Sequence, residues 1–129
     1  MKLLLDTHIW LWSLGEPARL AQRLRHELKD RRNEIWLSPV STWEALLLNS
    51  KGRIRVHGDF AAWLERSTAH LREAPLTHEI VLAAHQLPLP HPDPADRFLA
   101  ATAKVLGLTL VTADERLLGL GEIATLANR

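Results

Sequence analysis

Four acidic residues of this sequence border apolar segments, where carboxylates are costly unless they have a task. Asp6 and Asp114 each follow a short apolar segment, whereas Glu44 and Asp96 each precede one. If the fold gathers the four carboxylates, they form an all-oxygen site for a hard divalent cation. Oxygen ligation with few protein donors suits Mg²⁺ or Mn²⁺, which keep waters for substrate phosphates.

Electrostatic repulsion is the reason to expect a cation at such a cluster. Two carboxylates about 4 Å apart repel by about 4 kcal/mol at an effective dielectric constant of about 20. Four of them in one pocket would cost a large share of a typical folding stability of about 5–15 kcal/mol. We therefore expect the cluster to protonate, to splay apart or to bind cations.

Each acid also has a structural interpretation as part of a helix start. Asp6 and Asp114 could each cap a helix, although a cap can also be a ligand. The segment Ser41 to Glu44 matches a capping box. However, Ser38-Pro39 is the better helix start, and it places Glu44 near the second turn, too far along to reach back to the cap.

Asp93 and Asp96 both lie at the start of one predicted helix. Asp93 takes the cap position before Pro94. Asp96 could favour the helix macrodipole from the first turn, which is worth about 0.3–1 kcal/mol. Because Asp93 already supplies a negative charge there, we interpret Asp93 as mainly structural and Asp96 as mainly functional.

Short apolar strands alternate with amphipathic helices along the chain. The predicted strands are residues 2–6, 35–37 and 109–112; the predicted helices are residues 8–14, a segment from Pro17, and residues 39–50, 60–71, 77–86 and 94–106, with a helical turn from Asp114. This order predicts an α/β fold with a central parallel sheet and covering helices, in a single domain spanning residues 1–129. Ligands bind at the carboxyl ends of such strands, so Asp6 and Asp114 should share one edge of the sheet.

Bulk composition limits the classes of protein. The hydrophobic fraction of 47% and charged fraction of 24% are those of a globular chain, and the net charge of +1 confines any polyanion contact to local patches. The absence of cysteine excludes disulfides, thiolate zinc sites and cysteine nucleophiles. Asp6 interrupts the first apolar run, and no stretch approaches the roughly 20 apolar residues of a membrane span. We expect a cytoplasmic protein that does not contact the membrane.

Four segments carry a family resemblance and cover nearly the whole chain. They are Leu4-Leu5-Asp6-Thr7-His8, Ser38 through Glu44 with Lys51-Gly52-Arg53-Ile54, His91-Pro92-Asp93-Pro94-Ala95-Asp96-Arg97, and Leu110-Val111-Thr112-Ala113-Asp114. In this order they resemble the PIN-domain ribonucleases, specifically the VapC-type toxins of toxin–antitoxin pairs. The resemblance implies a PIN-like three-layer α/β/α fold and places Asp6, Glu44, Asp96 and Asp114 at the metal-binding positions.

The resemblance also implies an activity and partners. The reaction is metal-dependent hydrolysis of an RNA phosphodiester by water. It needs no protein nucleophile, in agreement with the lack of cysteine and of any Ser-His-Asp pattern. The implied partners are a second copy of the chain in a homodimer and a VapB-type antitoxin that occludes the acidic pocket.

Several further residues fall in or near the matching segments. Thr112 matches a hydroxyl often found beside the last acid, and Thr7 and Asp93 are supporting positions. Arg97 could contact a substrate phosphate or pair with a nearby acid. Ala95 departs from the family pattern, because relatives of this subgroup usually carry an aromatic residue there.

Other side chains have two interpretations each. His8 and His91 could act as a general base or have a hydrogen-bonded structural role. The basic residues from Arg19 to Arg32 could form a solvated helix face or contact RNA, with binding then falling steeply with salt. Trp36 and Trp43 are expected in the core, and one of the pair Trp10 and Trp12 could face a partner.

Two rival functions stay open. A magnesium-dependent phosphatase could use Asp6 as its nucleophile, but haloacid dehalogenase-type phosphatases usually need a second Asp two residues later, where this chain has His8. A PIN-like module could also bind RNA or protein without cutting.

Overall fold

A parallel sheet forms the centre of the computed structural model, which describes residues 1–89 and 93–129. Within these ranges the strands are β1 Lys2–Leu5, β2 Glu34–Leu37, β3 Arg72–Glu73, β4 Thr109–Thr112 and β5 Thr125–Ala127. Their spatial order is β3-β2-β1-β4-β5, and every neighbouring pair is parallel. The prediction of a parallel sheet is therefore confirmed, with β1 at its centre.

Helices follow the strands in the predicted alternation. They are α1 Thr7–Gly15, α2 Gln22–Lys29, α3 Pro39–Ser50, α4 Phe60–Thr68, α5 His78–Gln86, α6 Pro94–Leu106 and α7 Glu115–Leu118, with a 3-10 turn at Pro17–Arg19. Helix α3 starts where Ser38-Pro39 predicted, since the Ser38 hydroxyl accepts from the Val40 N–H at 3.0 Å. Helix α6 ends at Gly107, whose φ of 66° favours glycine.

Two apolar layers cover the faces of the sheet, because successive strand side chains point to opposite sides. Leu4 and Leu110 join Leu99 and its neighbours from α5 and α6 in one cluster. Leu3 and Val111 join residues from α1 and α2 in the other. This arrangement confirms the three-layer α/β/α fold.

The structure differs from the predicted elements at the sheet edges and around Pro17. Strands β3 and β5 were not predicted, because two or three residues cannot display an alternating pattern. Pro17 opens the 3-10 turn, and α2 begins only at Gln22. Part of the predicted proline-rich loop, residues 87–92, lies outside the described ranges. His91 belongs to that part.

The placement of Trp43 in the core is wrong. Its side chain is 60% exposed, because α3 turns Val40, Ser41 and Ala45 inward and leaves Trp43 on the opposite face. Trp36 is partly buried against the core, whereas Trp10 is 1% exposed. Among the helices of the described ranges, none has the length and apolar character to cross a bilayer.

Candidate metal centre

A cleft of about 300 Å³ lies at the carboxyl ends of β1 and β4. The four predicted acids and one more line it, together with neutral and basic neighbours: Asp6, His8, Ile9, Trp12, Glu44, Asp93, Asp96, Ala113, Asp114 and Arg116. The fold thus brings the predicted carboxylates to one place. We call this site the carboxylate cleft.

Asp6 lies directly after β1 and caps α1. Its Oδ1 accepts from the Thr7 backbone N–H at 2.8 Å, and its Oδ2 accepts from the Thr112 hydroxyl at 2.6 Å. Burial raises the pKa of Asp6 above its ordinary value, against the opposing effect of these two hydrogen bonds. Asp6 therefore both caps α1 and lines the carboxylate cleft.

Glu44 makes a hydrogen bond with the buried Thr7 hydroxyl, which in turn contacts the buried Ser41 hydroxyl. The Thr7 Oγ1 atom lies 2.9 Å from Ser41 Oγ and makes a short hydrogen bond with Glu44 Oε1. A threonine hydroxyl has one proton, so Thr7 can donate it to Glu44 while accepting from Ser41. Burial raises the pKa of Glu44, and the hydrogen bond from Thr7 opposes that shift. The capping-box interpretation fails, because Ser38 caps α3.

Asp93 and Asp96 have different structural roles at the start of α6. Asp93 caps the helix by accepting from the Ala95 N–H at 2.9 Å, as predicted, and its carboxylate also lines the cleft. Asp96 lies in the first turn. Burial, together with the negative charges of Asp93, Asp6, Asp114 and Glu44, raises the pKa of Asp96 to about 7. The repulsion expected from the sequence is therefore present in the fold.

Asp114 caps the short helix α7 and pairs with a basic side chain. It accepts from the Arg116 backbone N–H at 2.9 Å, and the Arg116 guanidinium contacts both carboxylate oxygens, at 3.1 Å and 3.0 Å. The pKa of Arg116 is raised by this hydrogen bonding. A positive charge thus lies on the wall of an otherwise acidic cleft.

The donor set matches a hard divalent cation in its chemistry, since every anionic ligand candidate is a carboxylate. In the arrangement described, within residues 1–89 and 93–129, no three Asp, Glu or His side chains are placed so that they could hold a metal ion. Binding would therefore require the carboxylates to move closer together. A bound cation favours that movement, because its attraction for each carboxylate offsets the repulsion between them.

Arg97 does not join the cleft acids. Its guanidinium donates to the backbone carbonyls of Ala84, Leu87 and Leu89, at 2.7, 3.2 and 2.7 Å. It thereby ties α6 to the end of α5 and the segment that follows. Its guanidinium hydrogen bonds therefore go to backbone carbonyls and not to an acid, and the phosphate contact suggested for Arg97 stays a prediction.

Sequence reasoning missed two residues of this region. Ser41 is fully buried and supports Thr7, and Arg116 faces Asp114. Arg116 follows the capping acid Asp114 by two residues in the sequence. Such a spacing of acid and cation is common on protein surfaces, so it did not single out Arg116. Ser41 carried a signal only through the capping box, which assigned it another role.

The fold and the cleft together define a class: a three-layer α/β/α protein with clustered carboxylates at the carboxyl edge of a parallel sheet. Comparison with known proteins agrees with that class. A family model described as the PIN domain matches residues 3–123. The chain belongs to the PIN-domain family.

Individual relatives extend this result. The chain is 34% identical over 115 residues to Ribonuclease VapC22 of Mycobacterium tuberculosis, with 88% of each chain covered. The structure of DNA-bound VapBC from Salmonella typhimurium matches with a TM-score of 0.76 at 16% identity, covering 100% of this chain and 99% of that one. VapBC2 from Rickettsia felis, bound to a DNA fragment from its promoter, matches with a TM-score of 0.75 at 16% identity and 98% coverage of both. At these identities the two structures establish the fold alone.

Proposed function

We propose that this protein, as one PIN domain over residues 1–129, is the ribonuclease toxin of a toxin–antitoxin pair. The observation that carries the proposal is the gathering of Asp6, Glu44, Asp96 and Asp114 in one cleft on this fold. The 34%-identical relative is named a ribonuclease, which supports a nuclease activity. The substrate would be an RNA phosphodiester.

The four carboxylates would hold Mg²⁺ or Mn²⁺. Such a metal, when bound, supplies hydroxide at neutral pH and stabilises the leaving oxygen. The chain's own contribution is to orient the ligands and to concentrate negative charge where the cation binds. The Thr112 hydroxyl and Thr7 N–H fix the Asp6 carboxylate, and the Thr7 hydroxyl fixes that of Glu44.

The phosphatase alternative lacks the second acid that such enzymes usually need, because His8 occupies the position two residues after Asp6. A non-catalytic PIN-like module remains the alternative that an activity assay decides.

The partners would be a VapB-type antitoxin and a second copy of this chain. The similar structures from Salmonella typhimurium and Rickettsia felis are of VapBC complexes, which supports an antitoxin partner. Trp43, Leu47 and Leu76 leave apolar surface exposed on this chain, at 60%, 38% and 40%. Contiguous exposed apolar surface is typical of protein contacts. The homodimer and the cytoplasmic location stay predictions.

The deciding experiment is RNA cleavage by purified, antitoxin-free protein with Mg²⁺ or Mn²⁺, across a panel of structured RNAs. We expect cleavage by the wild type and by Asp30→Asn, a control acid outside the cleft that pairs with Arg32. We expect none by Asp6→Asn. Equal cleavage by Asp6→Asn, or none by any of the three proteins, would contradict the proposal.

A further inference from the structure

A cavity of about 370 Å³ lies between helices α1, α2 and α4, next to strands β1 and β2. This volume is within the range of about 300–1,000 Å³ that is typical of small-molecule sites. Much of its wall is aliphatic and comes from Leu5, Leu14, Leu20, Leu28 and Leu71. None of its described lining residues also lines the carboxylate cleft. We call it the apolar cavity.

The Trp10 indole lines the apolar cavity and carries a buried donor without an acceptor. The side chain is 1% exposed, and its Nε1–H makes no hydrogen bond with any described residue. Trp63 packs beside it, at 5.5 Å between ring centres, but this neighbour supplies an aromatic face and no oxygen. Buried donors in native proteins are almost always satisfied, so this N–H indicates an acceptor from outside the chain.

The Ser67 hydroxyl is a second polar group of the same wall. Ser67 is 8% exposed, and no hydrogen bond within the described part of the chain involves its side chain. A hydroxyl can both donate and accept, whereas an indole N–H can donate alone. Together the two groups suit a ligand that buries a neutral oxygen, such as a hydroxyl or a carbonyl. A buried carboxylate would suit them poorly, because desolvating a full charge costs far more than two neutral hydrogen bonds return.

The charged side chains that line the apolar cavity all belong to one sign. Arg25 and Lys29 are exposed and line it together with the exposed His70, and its described lining contains no acid. Neither Arg25 nor Lys29 has an ion-pair partner among the described residues. An anionic group could therefore contact these cations at the surface without losing all of its water.

We propose that the apolar cavity binds a small amphipathic carboxylate. Its charged group contacts Arg25 and Lys29, its hydrocarbon body packs among the leucines, and a neutral oxygen at its other end accepts from Trp10. A peptide segment fits less well, because its backbone N–H groups need acceptors and the cations of the cavity are donors only. This site is independent of the proposed ribonuclease activity, since it shares no described lining residue with the carboxylate cleft.

The indole signals of ¹⁵N-labelled protein test the site directly. The chain has five tryptophans, and the indole signal that disappears in Trp10→Phe is that of Trp10. The probes are 10-hydroxydecanoate, decanoate and 1,10-decanediol, each kept below micelle formation. We expect 10-hydroxydecanoate to move the Trp10 indole proton downfield in a saturable way, because the N–H gains an acceptor. It should bind roughly two- to tenfold more tightly than decanoate, which lacks the hydroxyl.

Two variants separate the polar ends of the ligand. Ser67→Ala should remove most of the preference for 10-hydroxydecanoate over decanoate and leave the affinity for decanoate unchanged. Arg25→Gln/Lys29→Gln should weaken binding of both carboxylates roughly two- to tenfold and leave that of 1,10-decanediol unchanged. The spectra themselves show whether each variant is folded.

Arg23→Gln/Arg31→Gln is the matched control for the charged end. It removes the same charge from exposed residues that do not line the apolar cavity. This control should bind all three probes as the wild type does. Equal weakening by both double variants would indicate general charge attraction and would overturn the assignment of the carboxylate to Arg25 and Lys29.

Three further results would overturn the inference. One is a Trp10 indole signal that none of the three probes moves at millimolar concentration. Another is binding of 1,10-decanediol as tight as that of 10-hydroxydecanoate, which would make the cavity a purely apolar site. The third is a saturable shift of the Trp10 signal by an end-capped peptide rich in leucine and glutamate when neither carboxylate shifts it, which would make the cavity a site for a protein segment.

Discussion

The Thr112 hydroxyl donates to Asp6 Oδ2 at 2.6 Å and accepts from the Asp114 backbone N–H at 3.0 Å. Strands β1 and β4 are parallel neighbours with Leu5 opposite Val111, so Asp6 and Thr112 follow side by side at the same edge. One buried side chain thereby connects two of the cleft acids. Loss of this hydroxyl should disturb the cleft more than its small size suggests.

Thr112→Val tests that connection. The variant leaves Asp6 Oδ2 without its protein donor, and removal of a buried hydrogen-bonding partner costs about 1–3 kcal/mol. We also expect roughly 10- to 100-fold weaker Mg²⁺ binding, as is usual when a ligand loses its supporting hydrogen bond. Denaturant unfolding and titration calorimetry measure the two effects.

Thr102→Val is the control for Thr112→Val. Thr102 is equally buried, but its hydroxyl donates to the Phe98 carbonyl within α6, away from the acids. It should lose stability and keep wild-type Mg²⁺ affinity. Equal losses of Mg²⁺ affinity in both variants would show that Thr112 has no particular role in the cleft.

The Thr7 and Ser41 hydroxyls should behave as one unit in supporting Glu44. Both side chains are buried and share one hydrogen-bond chain. In a double-mutant cycle of Thr7→Val and Ser41→Ala, we expect the two losses in unfolding free energy to be non-additive by about 0.5–3 kcal/mol. Additive losses would mean that Ser41 does not act through Thr7.

The parts of this site that follow from the order of strands and helices were predicted from the sequence. Asp6 and Asp114 were assigned to one edge because parallel strands end together, and Glu44 was separated from a capping box by the better cap at Ser38. Arg116 was missed because a cation two residues after an acid is common on surfaces, and Ser41 was missed because its role depends on Thr7, which is distant in sequence. Trp43 was misplaced because its apolar character outweighed its position on the outer face of α3. Strands β3 and β5 depend on backbone pairing with β2 and β4, which leaves no side-chain pattern.

The stability of the metal-free protein should fall as pH rises, because of Asp96. Its pKa is about 7 in the fold against an ordinary value of 3.8. Between these values the folded protein retains a proton that the unfolded chain has released, so the free energy of unfolding decreases as pH rises through this window. Asp96→Asn should therefore be more stable than the wild type at about pH 8, by about 1 kcal/mol after allowing for solvent screening of a partly buried group, and not at about pH 4.

Thermal melts in EDTA at the two pH values measure this difference. Glu65→Gln, which removes an exposed acid that does not line the cleft, should show no such pH dependence relative to wild type. The same stability change for Asp96→Asn at both pH values would contradict the raised pKa of Asp96.

Arg116 should compete with a bound cation for Asp114. Its guanidinium contacts both oxygens of that carboxylate and adds positive charge to the cleft wall. Arg116→Gln should therefore bind Mg²⁺ several-fold more tightly than wild type, as measured by calorimetry at low salt. Arg129→Gln, which removes a guanidinium that pairs with Glu115 outside the cleft lining, is the control. Weaker Mg²⁺ binding by Arg116→Gln would instead mean that Arg116 orients Asp114 for the metal.

Mg²⁺ should raise the melting temperature of the wild type and have much less effect on Asp96→Asn. A ligand that binds the folded state alone stabilises it by RT ln(1 + [L]/Kd), about 2.7 kcal/mol at 100 times Kd. In the wild type, the cation also relieves the repulsion among Asp96 and the other cleft acids, which is strongest when all are ionised. The measurement is a series of melts at about pH 8 with increasing Mg²⁺, in which Glu65→Gln should follow the wild type. If Mg²⁺ raised the melting temperatures of wild type and Asp96→Asn equally, Asp96 would not be part of the metal centre. If Mg²⁺ stabilised neither protein, the cleft would not be a metal centre.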